Sequence, residues 1–311
     1  MADDGLDLAA GIDGAYATLT HRLGTLMPKA ADRIGERFRA LSRDGRASSY
    51  FLHPQAFPTM QLPVWLDQTL GGPRPGPWHA DLLYSSVAGY YLLRLIDDAM
   101  DDDQRAHRAL LPVLAVLSEE FRRPYARLLG DDATFWGHFD RIWGGTADSA
   151  ISDALLPSID ASTFHEISAH KVSAATIPMH AVARLHGYED LPNGWDQLVP
   201  RLGAWHQMRN DLADWMRDDQ EGRVTYFLAE GHRRKATDET LASWVIREGM
   251  AWGWATVHAR LDALDEVSRH LGSAPLTSYL ANQRERHATT EAETAAGLRT
   301  LRSLLAGGSA S

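Results

Sequence analysis

Two runs of acidic residues are the part of this sequence best suited to chemistry. The first is Leu95-Ile96-Asp97-Asp98-Ala99-Met100-Asp101-Asp102-Asp103, with five aspartates in seven residues at the end of an apolar stretch. At a helix C-terminus these charges repel one another and add to the negative end of the helix dipole, a frustration that a cation would relieve. Asp97 and Asp101, four residues apart, share one helical face and could bridge hard, oxygen-preferring Mg2+ ions. A solvated exit loop accounts for this run, taken alone, equally well. The second run is His206-Gln207-Met208-Arg209-Asn210-Asp211-Leu212-Ala213-Asp214-Trp215-Met216-Arg217-Asp218-Asp219. Asn210, Asp214 and Asp218 stand at i, i+4 and i+8, one stripe of oxygen donors with Leu212 and Met216 on other faces. Arg223 and Tyr226 follow, a guanidinium that can hold phosphate bidentately and a hydroxyl close by. Together these groups describe a site for a metal-bridged diphosphate.

Such side chains need rigid carriers, and the apolar spacing supplies helices. Leu92, Leu95 and Ile96, then Leu110, Leu111, Leu114 and Leu117, then Leu198, Leu202 and Trp205 recur at three- and four-residue intervals, while period-2 alternation is almost absent. The reading is an all-α, single-domain protein spanning 1–311, with residues 1–10 and 306–311 frayed. Helices are expected over 12–43, 79–103, 106–130, 134–154, 161–187, 195–219, 238–270 and 276–304. Six of the 14 prolines fall between Pro54 and Pro77, which reads as a long connector. Gly144-Gly145 reads as a helix break or a close-packing point, Gly187 to Gly194 as a turn, and Gly222 to Gly231 as a mobile segment.

Composition narrows the function. A formal charge of −10 argues against nucleic-acid binding, and the absence of Cys excludes disulfides, thiolate nucleophiles and zinc–thiolate sites. The start Met1-Ala-Asp-Asp-Gly-Leu-Asp lacks the form of a signal peptide, and the most apolar run, Val87 to Ile96, is too short to span a bilayer. A cytoplasmic protein without an integral membrane segment is expected. His165, His170, His180, His186 and His206 show no spacing with a third ligand and read as ordinary histidines. Arg94, one turn before Asp97, is read as pairing with a motif acid or contacting diphosphate.

Asp97-Asp98-Ala99-Met100-Asp101 resembles the DDxxD motif of class I isoprenoid synthases, and Gln207 to Asp214 resembles their second acidic motif. Prenyltransferases carry QxxDDxxD at that place and terpene cyclases NDxxSxxxE; Asn210-Asp211-x-x-Asp214-x-x-x-Asp218 stands between the two. Lys171 sits where prenyltransferases carry a diphosphate-touching lysine, and the DDxxDDD-type first motif is similar to that of the moenomycin prenyltransferase group. The likeness covers roughly residues 80–230. Chain-elongating members bind a second diphosphate through Gly-Gly-Lys-Arg and an Arg-Arg pair; Gly71-Gly72-Pro73-Arg74 lacks the lysine, and Gln104, Arg105, Ala106 and His107 follow Asp103.

The resemblance implies a helical bundle of the isoprenoid-synthase type with a central cavity, and Mg2+, three ions with diphosphate bound, held by Asp97, Asp101, Asn210, Asp214 and Asp218. Asp98 is then a second-layer acceptor, and Arg223, Lys171, Tyr226 and Arg209 bind diphosphate. Aromatic residues near the motifs, Tyr90, Tyr91, Trp136, Trp143, Trp205 and Trp215, are candidates for a cavity lining or for plain core. The implied activity is a terpene synthase that ionises a C15 or C20 allylic prenyl diphosphate and cyclises the cation. The alternatives are prenyl transfer to a non-isoprenoid acceptor or a second prenyl diphosphate, and a non-catalytic prenyl-diphosphate-binding protein. Relatives are often helical dimers, which leaves a homodimer open.

Overall fold

The computed structural model describes residues 8–40, 44–72, 78–101 and 109–308. Asp102 and Asp103, the sequence from Gln104 to His107, Pro73 to Pro77 and the outermost residues of both expected frayed ends lie outside them. Among the described residues there are helices and no strands, as the spacing predicts. No helix there is long and apolar enough to cross a membrane.

The chain forms two compact units. Unit 1 comprises Met1–Gly144 and Ala174–Pro192, and unit 2 comprises Gly145–Ser173 and Asn193–Ser311. Unit 1 contains α1 (Leu8–Leu26), α2 (Pro28–Ala40), α3 (Ala47–Phe51), α4 (Leu62–Thr69), α5 (His79–Asp101) and α6 (Val113–Leu129). It also holds most of α7 (Ala133–Ala154) and α9 (Ile177–Leu185). α5 packs on α1 and α6, and α9 packs on α4, α5 and α6. A Cβ at Gly89 of α5 would stand 2.8 Å from the Phe121 ring, so a residue without a side chain is what permits that α5–α6 crossing. Across α4, α5 and α9 the carboxylate of Asp67, fully buried, accepts from His79 Nε2 at 2.9 Å and His186 Nε2 at 2.7 Å. Burial pushes this carboxyl up, and the two histidine hydrogen bonds more than offset it, holding it below its usual value.

Unit 2 contains α8 (Ala161–Lys171), α10 (Trp195–Gln220), α11 (Tyr226–Arg234), α12 (Leu241–Trp244), a π-turn (Val245–Gly249), α13 (Met250–Leu271) and α14 (Ala274–Gly308). α10 is central, packed on α8, α11 and α13, with Leu198, Leu202, Trp205, Met208 and Leu212 buried. Side chains start these helices: Asp160 accepts from Thr163 N at 2.8 Å, Thr225 from Leu228 N at 3.4 Å and Thr240 from Ser243 N at 3.1 Å.

Several expected boundaries move, mostly for backbone reasons. The stretch expected as one helix over 12–43 is two, because Pro28 lacks the N–H that would continue α1 and instead opens α2. The stretch 161–187 is interrupted by a 3-10 turn (Ser173–Thr176), with Pro178 in the first turn of α9. α6 begins after Pro112, and the proline-rich connector holds α4, with Pro63 in its first turn. The π-turn divides the helix expected over 238–270. Gly144-Gly145 does not break α7 and makes no close approach; a Cβ at either would meet nothing within 4 Å. The segment read as mobile between Gly222 and Gly231 contains the start of α11, capped by Thr225.

Candidate functional site

The first acidic motif occupies the last turns of α5 in unit 1. Leu92 and Leu95 bury the apolar face of the helix, and the next residues divide: the Asp97 side chain is 61% exposed and that of Asp98 only 6%. Arg94 serves both, with Nε 3.2 Å from Asp98 Oδ1 and Nη1 3.6 Å from Asp97 Oδ2, the i+4 and i+3 spacings that face one another on a helix. Burial lowers the Arg94 pKa, but Asp98, Tyr90 and Asp97 outweigh it and hold the guanidinium above its ordinary value. Arg94 thus pairs with motif acids, one of its two expected roles. Asp101 is the last residue of α5, and its side chain lies outside the described residues.

The second motif lies on α10 in unit 2. Asn210 Nδ2 sits 3.2 Å from His206 Nδ1, one turn back, and Asn210 Oδ1 accepts from Arg209 Nη2 at 3.3 Å. Asp214 is 44% exposed and pairs with Arg217 Nη2 at 2.8 Å. Asp218 is 8% exposed, with Arg217 at 3.8 Å, and its backbone carbonyl accepts from Arg223 N at 2.8 Å. Burial and the negative charges of Asp214 and Glu221 push the Asp218 carboxyl up, against the pull of Arg217 and Arg223. Each acidic motif therefore carries its own arginine within one turn, Arg94 on α5 and Arg217 on α10. The second was not anticipated, although it stands three residues after Asp214.

The expected diphosphate-binding groups divide into exposed and packed. Lys171 ends α8, is 38% exposed and lies 2.6 Å from Asp153; its charge also reaches Asp211 on α10. Arg223 is 47% exposed, donates to Glu221 at 2.7 Å and acts electrostatically on Asp218. Tyr226 is buried and stacks on Phe164, centroids 4.7 Å apart. Arg209 lies over the Trp205 ring at 5.4 Å, and burial lowers its pKa. Of the aromatic candidates, Tyr91 stacks on Phe38 and Trp205 packs beside His287. Trp136 packs on Phe135 and Phe139, and Trp143 on Phe121 and Phe139.

Asp211, adjacent to the stripe, has a role the sequence reading missed. It is 2% exposed and faces the apolar side of α10. One oxygen accepts from Gln207 Nε2 at 2.7 Å and the other from Tyr226 N at 3.1 Å, tying α10 to the first residue of α11. Burial pushes its carboxyl up to about 6, against the lowering effects of Gln207, Lys171 and the Tyr226 amide.

Chemically, unit 2 offers carboxylate and amide oxygens from Asn210, Asp214 and Asp218, a donor set suited to a hard divalent cation, with Lys171 at the end of α8 and Arg223 in the connection from α10 to α11. Compared with known proteins, the chain matches no protein-family profile and no curated protein.

Proposed function

We propose that the chain is a Mg2+-dependent class I terpene synthase that ionises a C15 or C20 allylic prenyl diphosphate, cyclises the carbocation and releases diphosphate. The observation that carries this reading is the composition of unit 2: an oxygen-donor stripe on α10 whose Asp218 carboxyl is pushed up by burial and by neighbouring acids, with Lys171 and Arg223 both within electrostatic reach of α10 acids. That stripe fits a hard cation, because a second positive charge relieves what Arg217 only partly offsets. Mg2+, when bound, supplies Lewis-acid stabilisation of the departing diphosphate. In this reading Asn210, Asp214 and Asp218 are the ligands of the second motif, on α10, and Asp97 and Asp101 are those that the resemblance assigns to the first, on α5. Asp98 holds Arg94, while Arg223 and Lys171 take diphosphate oxygens, their charges matching the negative charge that grows as the C–O bond ionises. Tyr226 and Arg209 act as supports, being packed against Phe164 and Trp205.

Prenyl transfer to another acceptor is the second reading, favoured by Asp214 and Asp218 standing where cyclases carry Ser and Glu. One experiment separates the two. The protein is incubated with geranyl, farnesyl and geranylgeranyl diphosphates and Mg2+ without acceptor, diphosphate release is measured, and extracts are analysed by gas chromatography and mass spectrometry. A cyclic hydrocarbon or alcohol is expected, and Asp97→Ala or Asn210→Ala should abolish release while helical circular dichroism is unchanged. Folded protein that releases no diphosphate from any of the three overturns the cyclase reading.

A further inference from the structure

His180 reads from sequence as an ordinary histidine and Asp190 falls in the expected Gly187–Gly194 turn, yet unit 1 brings both together with His138 of α7. One ligand-type atom of each lies within 4.8 Å of those of the other two. His138 comes from α7, His180 from α9 and Asp190 from the turn after α9.

Their partners fix which atoms are available. A carbonyl can only accept, so the 3.1 Å contact of His138 Nε2 with Glu189 O places the proton on Nε2 and leaves Nδ1 as the lone-pair nitrogen. Arg141 Nη2 donates to that Nδ1 at 2.5 Å. His180 is 6% exposed, its Nδ1 has no hydrogen-bond partner among the described residues, and the same atom stands 3.7 Å from Asp190 Oδ1. A buried ring nitrogen without a hydrogen bond is destabilising, and a ligand on its lone pair would relieve that.

We propose that His138, His180 and Asp190 form a binding site for a divalent transition metal of the Zn2+ type, and that Arg141 is the cation the metal displaces. Two imidazoles and a carboxylate suit Zn2+ or Co2+, whereas Mg2+ prefers all-oxygen sets, so this site and the acidic motifs answer to different ions. The Nε2–H of His138 on a backbone carbonyl is the outer support that metal-bound histidines usually have. Three protein ligands leave a fourth position for water. The two rings are stacked, centroids 4.3 Å apart and planes 21° from parallel, so their lone pairs do not yet converge. Binding turns the His138 ring out of the stack as Arg141, whose residue is exposed, swings away.

The test uses the full chain, free of Mg2+ and substrate, titrated with Zn2+ by calorimetry and with Co2+ by visible absorption. One ion per chain with a Kd near or below about 1 μM is expected. Asp190→Ala removes an exposed ligand without touching the core and should weaken binding about tenfold or more, and His180→Ala should abolish it. Arg141→Ala removes the competing charge and should tighten binding. The proposal fails if the protein binds neither ion at 1 μM. It also fails if Asp190→Ala and His180→Ala bind as the parent does, or if Arg141→Ala leaves the Kd unchanged or weaker.

Discussion

Asp211→Asn separates a ligand from a brace within the second motif. A carboxyl raised from 3.8 to about 6 is favoured in its neutral form in the folded state. The stability it contributes is complete below the unfolded value and is lost as pH rises through 6. With these two values, the cost of ionising Asp211 is about 1 kcal/mol at pH 4.5 and about 3 kcal/mol at pH 7.5. An amide of the same shape carries no such cost. Its oxygen can accept from Tyr226 N, and Gln207 can turn its own oxygen toward the new NH2, so both hydrogen bonds survive. The variant should therefore gain about 2 kcal/mol relative to the parent between pH 4.5 and 7.5. Urea unfolding followed by circular dichroism at those two pH values, without Mg2+, measures the difference. Parent and variant curves that shift in parallel would show that the Asp211 carboxyl is not raised by burial, and the brace argument would fall with it.

Two other consequences are open to direct measurement. Gly203→Ala places a Cβ 2.5 Å from the Ser168 carbonyl oxygen and 2.6 Å from Val172, so α8 and α10 must separate; a loss of about 1–3 kcal/mol in urea unfolding is expected, and a variant as stable as the parent would contradict the tight crossing. His287, 4% exposed with neither ring nitrogen hydrogen-bonded among the described residues, has its pKa lowered to about 4 by burial and by Arg209, His258 and Arg284. Because the unfolded ring takes up a proton near 6.5 and the folded one does not, the parent should lose about 2 kcal/mol from this group between pH 7 and 5. His287→Leu should flatten that slope, and an unchanged slope would exclude His287 as its source.

The helices were legible because their buried faces repeat every three or four residues, a local property. Their breaks at Pro28 and Pro178 were less so, since proline's missing N–H is harmless in the first turn and costs a hydrogen bond inside a helix, and the apolar spacing alone does not tell the two apart. The acidic motifs were legible as helical stripes, and the Arg94 pairing was one of the two roles its spacing left open. Asp211 was not, because its neighbour in sequence, Asn210, looks chemically similar. Only the docking of α11 onto α10 makes one of them buried and the other half-buried. Tyr226 and Arg209 carried the right functional groups at plausible spacing, yet their positions depend on Phe164 and Trp205, which no short motif contains. The cluster of His138, His180 and Asp190 joins two helices and a turn distant along the chain, so no spacing rule could have found it.

The path of the chain between the units bears on synthesis. Residues 145–173 enter unit 2 before 174–192 return to unit 1. On the ribosome, therefore, Asp67 is made long before His186, and until α9 emerges its carboxylate has at most one of its two histidines. Burying it then would leave an acceptor oxygen unsatisfied, which disfavours closing α4 onto α5 early. Unit 1 is expected to mature only after part of unit 2 has already been translated. A nascent fragment ending at residue 144 should remain protease-sensitive around α4 until the later segment is supplied.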